Sequence, residues 1–545
     1  DNRTLAYASE RNGNWQIYLA KIVREEDPNF PNATLIKEEV LLPSTTVERS
    51  HPQFSPDGKE LAFIEDRNRL MVLNLETKKV RRITDGSTWY STGGGFDYAW
   101  SPDGKWFTLE FIGNKHDPYS DIGLVSAQGN GEIVNLTNSG YTSGSPSFVL
   151  DGNAILFITE RYGMRAHASW GSLDDAMLVF LNQDAYDKFS LSKEDYELYK
   201  EANSDRKKIA DKDSSKVKDV VVELKNIEDR IVRLTPNSSN MGSTLISKDG
   251  KTLYYLASAE GGRNLWKMDL RKKETKLLHK VDAGWTSLEM DKEGKTLFIL
   301  NGKNMQKMNM ASDDLKPIKY LAQVKLDLAA EREYMFDHVY KQQQKRFYNT
   351  NMHGVNWDAM TAAYRKFLPH INNNYDFSEL LSEWLGELNV SHTGGFYPDG
   401  QSEPTASLGL LFDWNYQDKG MLIAEVIEKG PFDKATTKVK AGIVIEKIDG
   451  KEITPETDYY VLLNDKVKKK TLVSLYNPKT KERWEEVVIP IKDSELSALL
   501  YERWVKQRAA DVEKWSNGKL GYVHIKSMGD DSFRSIYSDI LGKYN

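Results

Sequence analysis

The 545-residue sequence predicts a multidomain, mainly β chain with a helical segment about two-thirds of the way along. Three observations lead there. Tight-turn dipeptides recur through the first 320 residues with β-rich runs on either side. Near Tyr320 the apolar period changes from two to 3.6 residues, the mark of a sheet handing over to helices. From about Ser402 short apolar strands return, separated by glycine turns. At roughly 150 residues per domain the length accommodates three to four domains.

The repeats come first. Asp-Gly turns stand at Asp57-Gly58, Asp103-Gly104, Asp151-Gly152 and Asp249-Gly250, with Glu293-Gly294 last and Asp1-Asn2 as a degenerate first copy. Each is followed by a β-rich run such as Leu61–Glu65, Trp106–Phe111 or Leu253–Ser258, and most are preceded by another. The unit reads as strand, two-residue hairpin turn, strand, with the turn residues supplying positive φ. Third strands (Arg69–Glu76, Asn264–Leu270) and fourth strands (Val80–Asp85, Arg230–Pro236) follow. Four short strands in about 45 residues is the period of a β-propeller blade. About six blades are expected over residues 1–318, the first lacking its opening strand. Where the spacing doubles, Leu178–Asn182 reads as a third strand and Arg230–Leu234 as its fourth, with an insertion between. From Lys188 to Asp219, 17 of 32 residues are charged, which predicts a solvated helical excursion over 188–219. Gly250-Lys251-Thr252 and Gly294-Lys295-Thr296 resemble the tail of a phosphate loop. The glycine such a loop needs five residues earlier is replaced by Leu245 and Glu289, so both are hairpin turns.

Residues 319–400 form the expected helical subdomain. Phe336, Val339, Tyr340 and Phe347 share one face of a first helix, and Trp357, Met360, Tyr364, Phe367 and Leu368 one face of a second. In the third, Phe377, Leu380, Leu381, Trp384, Leu385 and Leu388 follow helical spacing, with Asp376 as N-cap and Glu379 three positions on. This amphipathic helix runs into the polar segment Leu388 to Gly395, which holds Ser391 and His392. A polar segment directly after an amphipathic helix is the expected seat of chemistry, and an imidazole, which changes charge near neutral pH, lies within it. The other histidines, His51, His116, His167, His279, His338, His353, His370 and His524, are read as structural or surface residues.

Over residues 401–492, Leu408-Gly409-Leu410-Leu411-Phe412 enters an apolar strand through a glycine loop. A Gly430-Pro431 turn into a short helix and a strand closing at Asp449-Gly450 follow. This order resembles a PDZ domain, which binds extended peptide by adding a strand. Leu408, Gly409, Leu410 and Leu411 are then candidate peptide-binding residues; an internal spacer with a blocked groove is the alternative. Residues 493–545 begin a further α/β subdomain, with a helix from about Ser494 to Trp515 and a strand Gly521–Ile525.

Composition excludes much else. The chain holds 74 Lys and Arg against 80 Asp and Glu, a net charge of −6 without a basic block, so no nucleic-acid partner is expected. No cysteine is present, which removes disulfides, thiolate metal sites and cysteine nucleophiles. No apolar run approaches the ~18 residues of a membrane helix. Neither a His-Glu-x-x-His nor a Gly-x-Ser-x-Gly motif occurs, and no metal or cofactor is expected.

The order of these parts, propeller repeats, three helices ending in Ser-His, a PDZ-like domain and a Gly-Tyr-Val-His-Ile segment, resembles the tricorn protease family of serine peptidases, relatives of the C-terminal processing peptidases. The resemblance implies a peptidase acting on peptides, with His392 as general base and Ser391 helping to hold the imidazole. It places the nucleophilic serine and oxyanion donors after the Gly521–Ile525 segment, outside these 545 residues, so that this portion alone is expected to be inactive. It also implies a homo-oligomer and a cytoplasmic location, with a periplasmic one open. The alternative is a non-catalytic scaffold in which propeller and PDZ domain bind peptides.

Overall fold

In a computed structural model, residues 2–91, 93–113, 117–129, 131–164, 172–203, 218–284, 286–302, 304–398 and 404–543 are described. His116, His167 and part of the charged insertion lie outside them. The chain divides into two compact units, 1–396 and 397–545. It is a mainly β, multidomain fold built from many small antiparallel sheets.

The first unit opens with six sheets, each a meander of sequence-consecutive strands. The first has three strands, Thr4–Ser9, Gln16–Ile22 and Ile36–Leu41. The other five have four strands each, beginning at Arg49, Tyr98, Ser143, Met241 and Thr286. In the fourth sheet Asp175–Phe180 pairs with Ile231–Arg233 across the insertion. The two-residue alternation of each strand decides what it packs against. Leu61 and Phe63 face a core with Ile17, Leu19 and Leu41 of the first sheet, whereas Ala62 and Ile64 face a core with Phe107 and Leu109 of the third. Every sheet from the second to the fifth is shared in this way between two cores, so its strands are apolar on both faces.

The hairpins differ from the two-residue turn expected. At Asp57-Gly58 only Gly58 is left-handed, at φ 72°. The loop is longer, and its geometry is held by side chains: Ser55 Oγ donates to Asp57 Oδ1 (2.7 Å) and accepts from the Glu60 N–H (2.9 Å). Ser101 with Asp103 and Ser247 with Asp249 repeat the device. The serine two residues before Asp57, Asp103 and Asp249 is therefore part of the turn signal, whereas Val149 stands at that place before Asp151.

The insertion begins as helix α1 (Gln183–Ser190) and helix α2 (Lys193–Ala202). It is less solvated than its charge suggests. Phe189 lies 4.9 Å from Phe180 between ring centroids, and Ala185, Tyr186 and Phe189 pack on the core shared by the fourth and fifth sheets. Arg271, from the fifth sheet's last hairpin, donates to the carbonyls of Phe189 and Leu191 (2.7 Å each), and its guanidinium lies 4.1 Å from the Tyr196 ring centroid.

Three helices follow: α3 (Leu328–Arg346), α4 (Trp357–Arg365) and α5 (Asn374–Gly386). Trp384 is fully buried and sandwiched between Phe336 (4.1 Å) and Trp357 (4.7 Å), one ring from each helix. Such stacking adds about 0.5–1.5 kcal/mol per pair beyond area burial. The α5 cap is Asn373 rather than Asp376, because the Asn373 carboxamide accepts from the Asp376 N–H (2.9 Å). Phe367 falls past the end of α4 and is exposed.

The second unit contains an antiparallel sheet, Leu410–Phe412, Met421–Val426, Val444–Ile448, Thr471–Tyr476 and Arg483–Val488, around one apolar core. The segment after Gly430-Pro431 forms turns, not the short helix expected. Helix α6 (Asp493–Ser516) is tied to the sheet by Arg503–Glu425 (2.6 Å) and Lys506–Glu428 (2.6 Å), and helix α7 (Asp530–Lys543) follows. Gly521–Ile525 is not a strand. No described strand lies beside it to complete a ladder, and His524 instead meets the hydroxyls of Tyr501 (2.5 Å) and Tyr522 (3.2 Å). No helix among the described residues is long and apolar enough to cross a membrane.

Candidate functional site

The Ser391–His392 segment is shaped by the end of α5. Leu385 and Leu388 stay buried, and the chain then turns out through Asn389, whose φ is 48° and whose N–H returns to the Gly386 carbonyl (2.9 Å). Val390 dips back against the helical core. Ser391 and His392 stand exposed at the apex. His392 has φ 63°, a left-handed conformation uncommon for a residue with a Cβ and one that concentrates at functional sites.

Both ends of this loop are pinned. On the entry side His353 Nδ1 meets the Leu388 carbonyl at 3.0 Å. A carbonyl only accepts, so Nδ1 carries the proton, and in the neutral ring Nε2 accepts from the Tyr348 hydroxyl (2.5 Å). On the exit side the Ser382 hydroxyl donates to the Gly395 carbonyl (2.7 Å) and accepts from the Gly395 N–H (3.0 Å). Glycine fits closely there: a Cβ would lie 3.0 Å from Leu381 Cβ and 3.2 Å from the Ser378 carbonyl, tighter than most such contacts. The loop thus presents an accessible imidazole from a rigid base. Among the described residues no hydrogen bond links the Ser391 hydroxyl to the imidazole, and none brings a carboxylate to it.

Leu408 and Leu410 are core residues, 3% and 6% exposed. Gly409 is left-handed at φ 66°, and a Cβ on it would meet Pro431 Cδ at 2.6 Å. Its N–H donates to Ser407 Oγ (3.0 Å) and its carbonyl accepts from the Ile427 N–H (3.0 Å). Leu411 pairs with Glu425, and Leu410–Phe412 is an edge strand among the described residues. Beside it Phe412, Trp414 and Tyr459 form an aromatic cluster with ring centroids 5.4–6.4 Å apart.

A second Ser-His pair, Ser50–His51, went unread as a pair in the sequence, although the same dipeptide was there to find it. It lies where the second sheet's first strand bulges, and Ser50 Oγ is 2.8 Å from His51 Nδ1. Burial pushes this imidazole below its ordinary pKa, against the pull of the Asp97 carboxylate. Nearby, burial and then the Asp97 charge raise Glu110 to about 7, although its carboxyl accepts from the Ser145 N–H at 2.7 Å.

Comparison with known proteins gives these features a context. The family model described as "Tricorn protease C1 domain" matches residues 328–386, the three-helix segment that carries the loop's base. A tricorn-like relative from Sulfurisphaera tokodaii is 25% identical over 90% of this chain and 57% of that protein. A "Tricorn protease homolog" from Saccharolobus solfataricus is 23% identical over 90% of this chain and 46% of its own length. The chain therefore spans about half the length of these curated relatives. The crystal structure of the tricorn protease superposes with a TM-score of 0.73 at 15% identity, covering 99% of this chain and 52% of that one, a likeness of fold. Helical segment, long archaeal alignments and fold agree: the chain is a tricorn protease homologue.

Proposed function

We propose that this chain is part of a tricorn-type serine peptidase acting on peptides, in which His392 is the general base. The observation that carries this reading is the Ser391–His392 loop, pinned at Leu388 and Gly395 and exposed between them with a left-handed His392. A base must reach a serine hydroxyl to within about 3 Å in a plausible pose, and an imidazole on a short, fixed loop is suited to that. Ser391 takes the role the resemblance implies, helping to hold the imidazole, although no hydrogen bond joins the two side chains here. As the resemblance implies, the nucleophilic serine and oxyanion donors of this reading come from a segment that follows Gly521–Ile525 in the family's order of parts.

In this reading the six sheets packed face to face act as a propeller that filters substrates, residues 401–492 act as a PDZ-type domain, and residues 493–545 begin the catalytic subdomain. The edge strand Leu410–Phe412 with its aromatic neighbours favours a second reading, a peptide-binding scaffold working by strand addition. A fluorophosphonate probe separates the two. Labelling of the full-length protein at a serine beyond Asn545, with the 545-residue chain unlabelled, supports the peptidase. No labelling of the full-length protein supports the scaffold, and labelling of Ser391 would overturn the assignment of roles.

A further inference from the structure

Four aromatic rings gather beside the edge strand Leu410–Phe412 of the second unit. Two form a floor: Phe412 and Tyr459 pack on the unit's apolar core, their centroids 5.4 Å apart. Two form walls: Trp414 is 67% exposed and Tyr460 50%, with centroids 6.4 Å and 4.2 Å from that of Tyr459. Both tyrosines open the short 3-10 helix Tyr459–Leu463, which Asp458 caps by accepting from the Tyr460 N–H (3.0 Å). A large indole held open beside a core-anchored floor marks a contact surface.

The charge around the rings says what kind of contact. The runs 412–418 and 454–460, which carry all four, hold Asp413, Asp418, Glu456 and Asp458 and no Lys or Arg. Among the described residues none of these carboxylates is in an ion pair, whereas Asp449 and Glu446 of the same unit pair with Lys466 and Arg483. Nor, among the described residues, does any Lys or Arg, Lys419 included, lie over the four rings. Elsewhere in the unit Arg483 lies 4.2 Å from the Tyr476 centroid and Lys526 5.0 Å from that of Tyr501. A ring face attracts a cation through its quadrupole, and unpaired carboxylates beside it add to the pull. The edge strand offers main-chain groups to a further strand. A ligand meeting both demands is an extended chain with a positive side chain.

We propose that this corner seats the lysine or arginine side chain of an extended peptide laid along Leu410–Phe412. The cation lies against Trp414 and Tyr460, with Asp413 and Asp458 at its rim. Seating the main chain rests on the strand-addition reading of the same edge; the preference for a basic residue goes beyond it. Neither depends on the Ser391–His392 loop.

The test is an anisotropy titration of the chain at pH 7.5 and constant ionic strength. The probes are end-capped heptapeptides of alternating threonine and valine that carry a neutral dye and a central lysine, norleucine or glutamate. The lysine peptide is expected to bind at least about threefold more tightly than the norleucine peptide, the gain from a cation on exposed rings, and the glutamate peptide most weakly. Trp414→Leu, at an exposed position where the melting temperature should be kept, should abolish the preference for lysine over norleucine. Asp413→Asn combined with Asp458→Asn keeps the oxygens that accept from the Asn415 and Tyr460 N–H groups, and should lower the lysine peptide's affinity about two- to fivefold. Equal affinity for the lysine and norleucine peptides would overturn the basic-residue preference and leave strand addition standing; no saturable binding by any of the three would overturn both. A preference that survives Trp414→Leu, or a lysine-peptide affinity unchanged by the paired Asn substitutions, would also overturn the proposal.

Discussion

Two Ser-His pairs in one chain differ in how their imidazoles are held. Ser50–His51 lies in a sheet, its histidine side chain exposed but hydrogen-bonded to its own serine, partly desolvated and influenced by Asp97. Ser391–His392 lies in a loop, exposed, with its side chains facing solvent and its backbone held from both ends. Both histidines have positive φ, 54° and 63°. A strained backbone and a neighbouring serine are therefore not enough to mark a catalytic base. What separates the pairs is engagement of the ring: both side chains are exposed, but only His51 is tied to its serine. A base has to meet a proton donor arriving from elsewhere, which the loop allows and the sheet, with Nδ1 already occupied, restricts.

The strongest way to break this contrast is by substitution at the two rings. His392→Ala in the full-length protein should lower kcat for peptide hydrolysis roughly a thousandfold or more with the fold intact, because nothing else accepts the serine proton. His51→Gln should leave peptide hydrolysis within about twofold, as expected for a residue outside the chemistry. Reversed outcomes would exchange the roles of the two pairs. A smaller effect sharpens the role of the pins. Gly395→Ala crowds Leu381 and Ser378 by a few tenths of an ångström, and the shift this passes to the loop should reduce kcat about two- to tenfold with little change in KM. Unchanged kcat would mean that the exit pin does not position His392.

The smallest effects are on stability, and they have opposite signs around the sheet pair. His51 is depressed, so its contribution is complete above the unfolded value near 6.5 and is lost as pH falls through the folded value. Glu110 is raised, so its contribution is present below the unfolded value of 4.5 and is lost as pH rises through about 7. Glu110→Gln keeps the acceptor for the Ser145 N–H and removes the charge. It should raise the melting temperature at pH 8 by about 2–4 °C and change it little at pH 4.5. Equal shifts at the two pH values would show that the Glu110 carboxyl is not held neutral by its surroundings.

Much of the β architecture was legible because period-two patterning and turn chemistry are local. The pairing of Asp175–Phe180 with Ile231–Arg233 across a long insertion was readable because both flanks keep strand character. Features that depend on a distant partner were not. Gly521–Ile525 has strand composition, yet a strand exists only where a second one pairs with it. Phe189 sits in a charged run, and nothing local announces that its ring reaches Phe180. Of the candidate site, the loop's position was legible from the helix that ends in it. The pins were not, since Ser382 and His353 become partners of Gly395 and Leu388 only once α5 and the turn before α4 are packed.

The clasp of Arg271 on helix α1 has a consequence for how the molecule comes apart. In a row of like sheets each contacts only its neighbours, and stability is close to a sum of unit and interface contributions. Here one guanidinium from the fifth sheet grips carbonyls at the end of a helix inserted in the fourth, and that helix packs into the core the two sheets share. The fourth and fifth sheets should open as one cooperative block, with matched hydrogen-exchange protection, while the three-stranded first sheet frays at lower free energy. An excursion that looks like decoration on a repeat thereby fuses two repeats into a single folding unit.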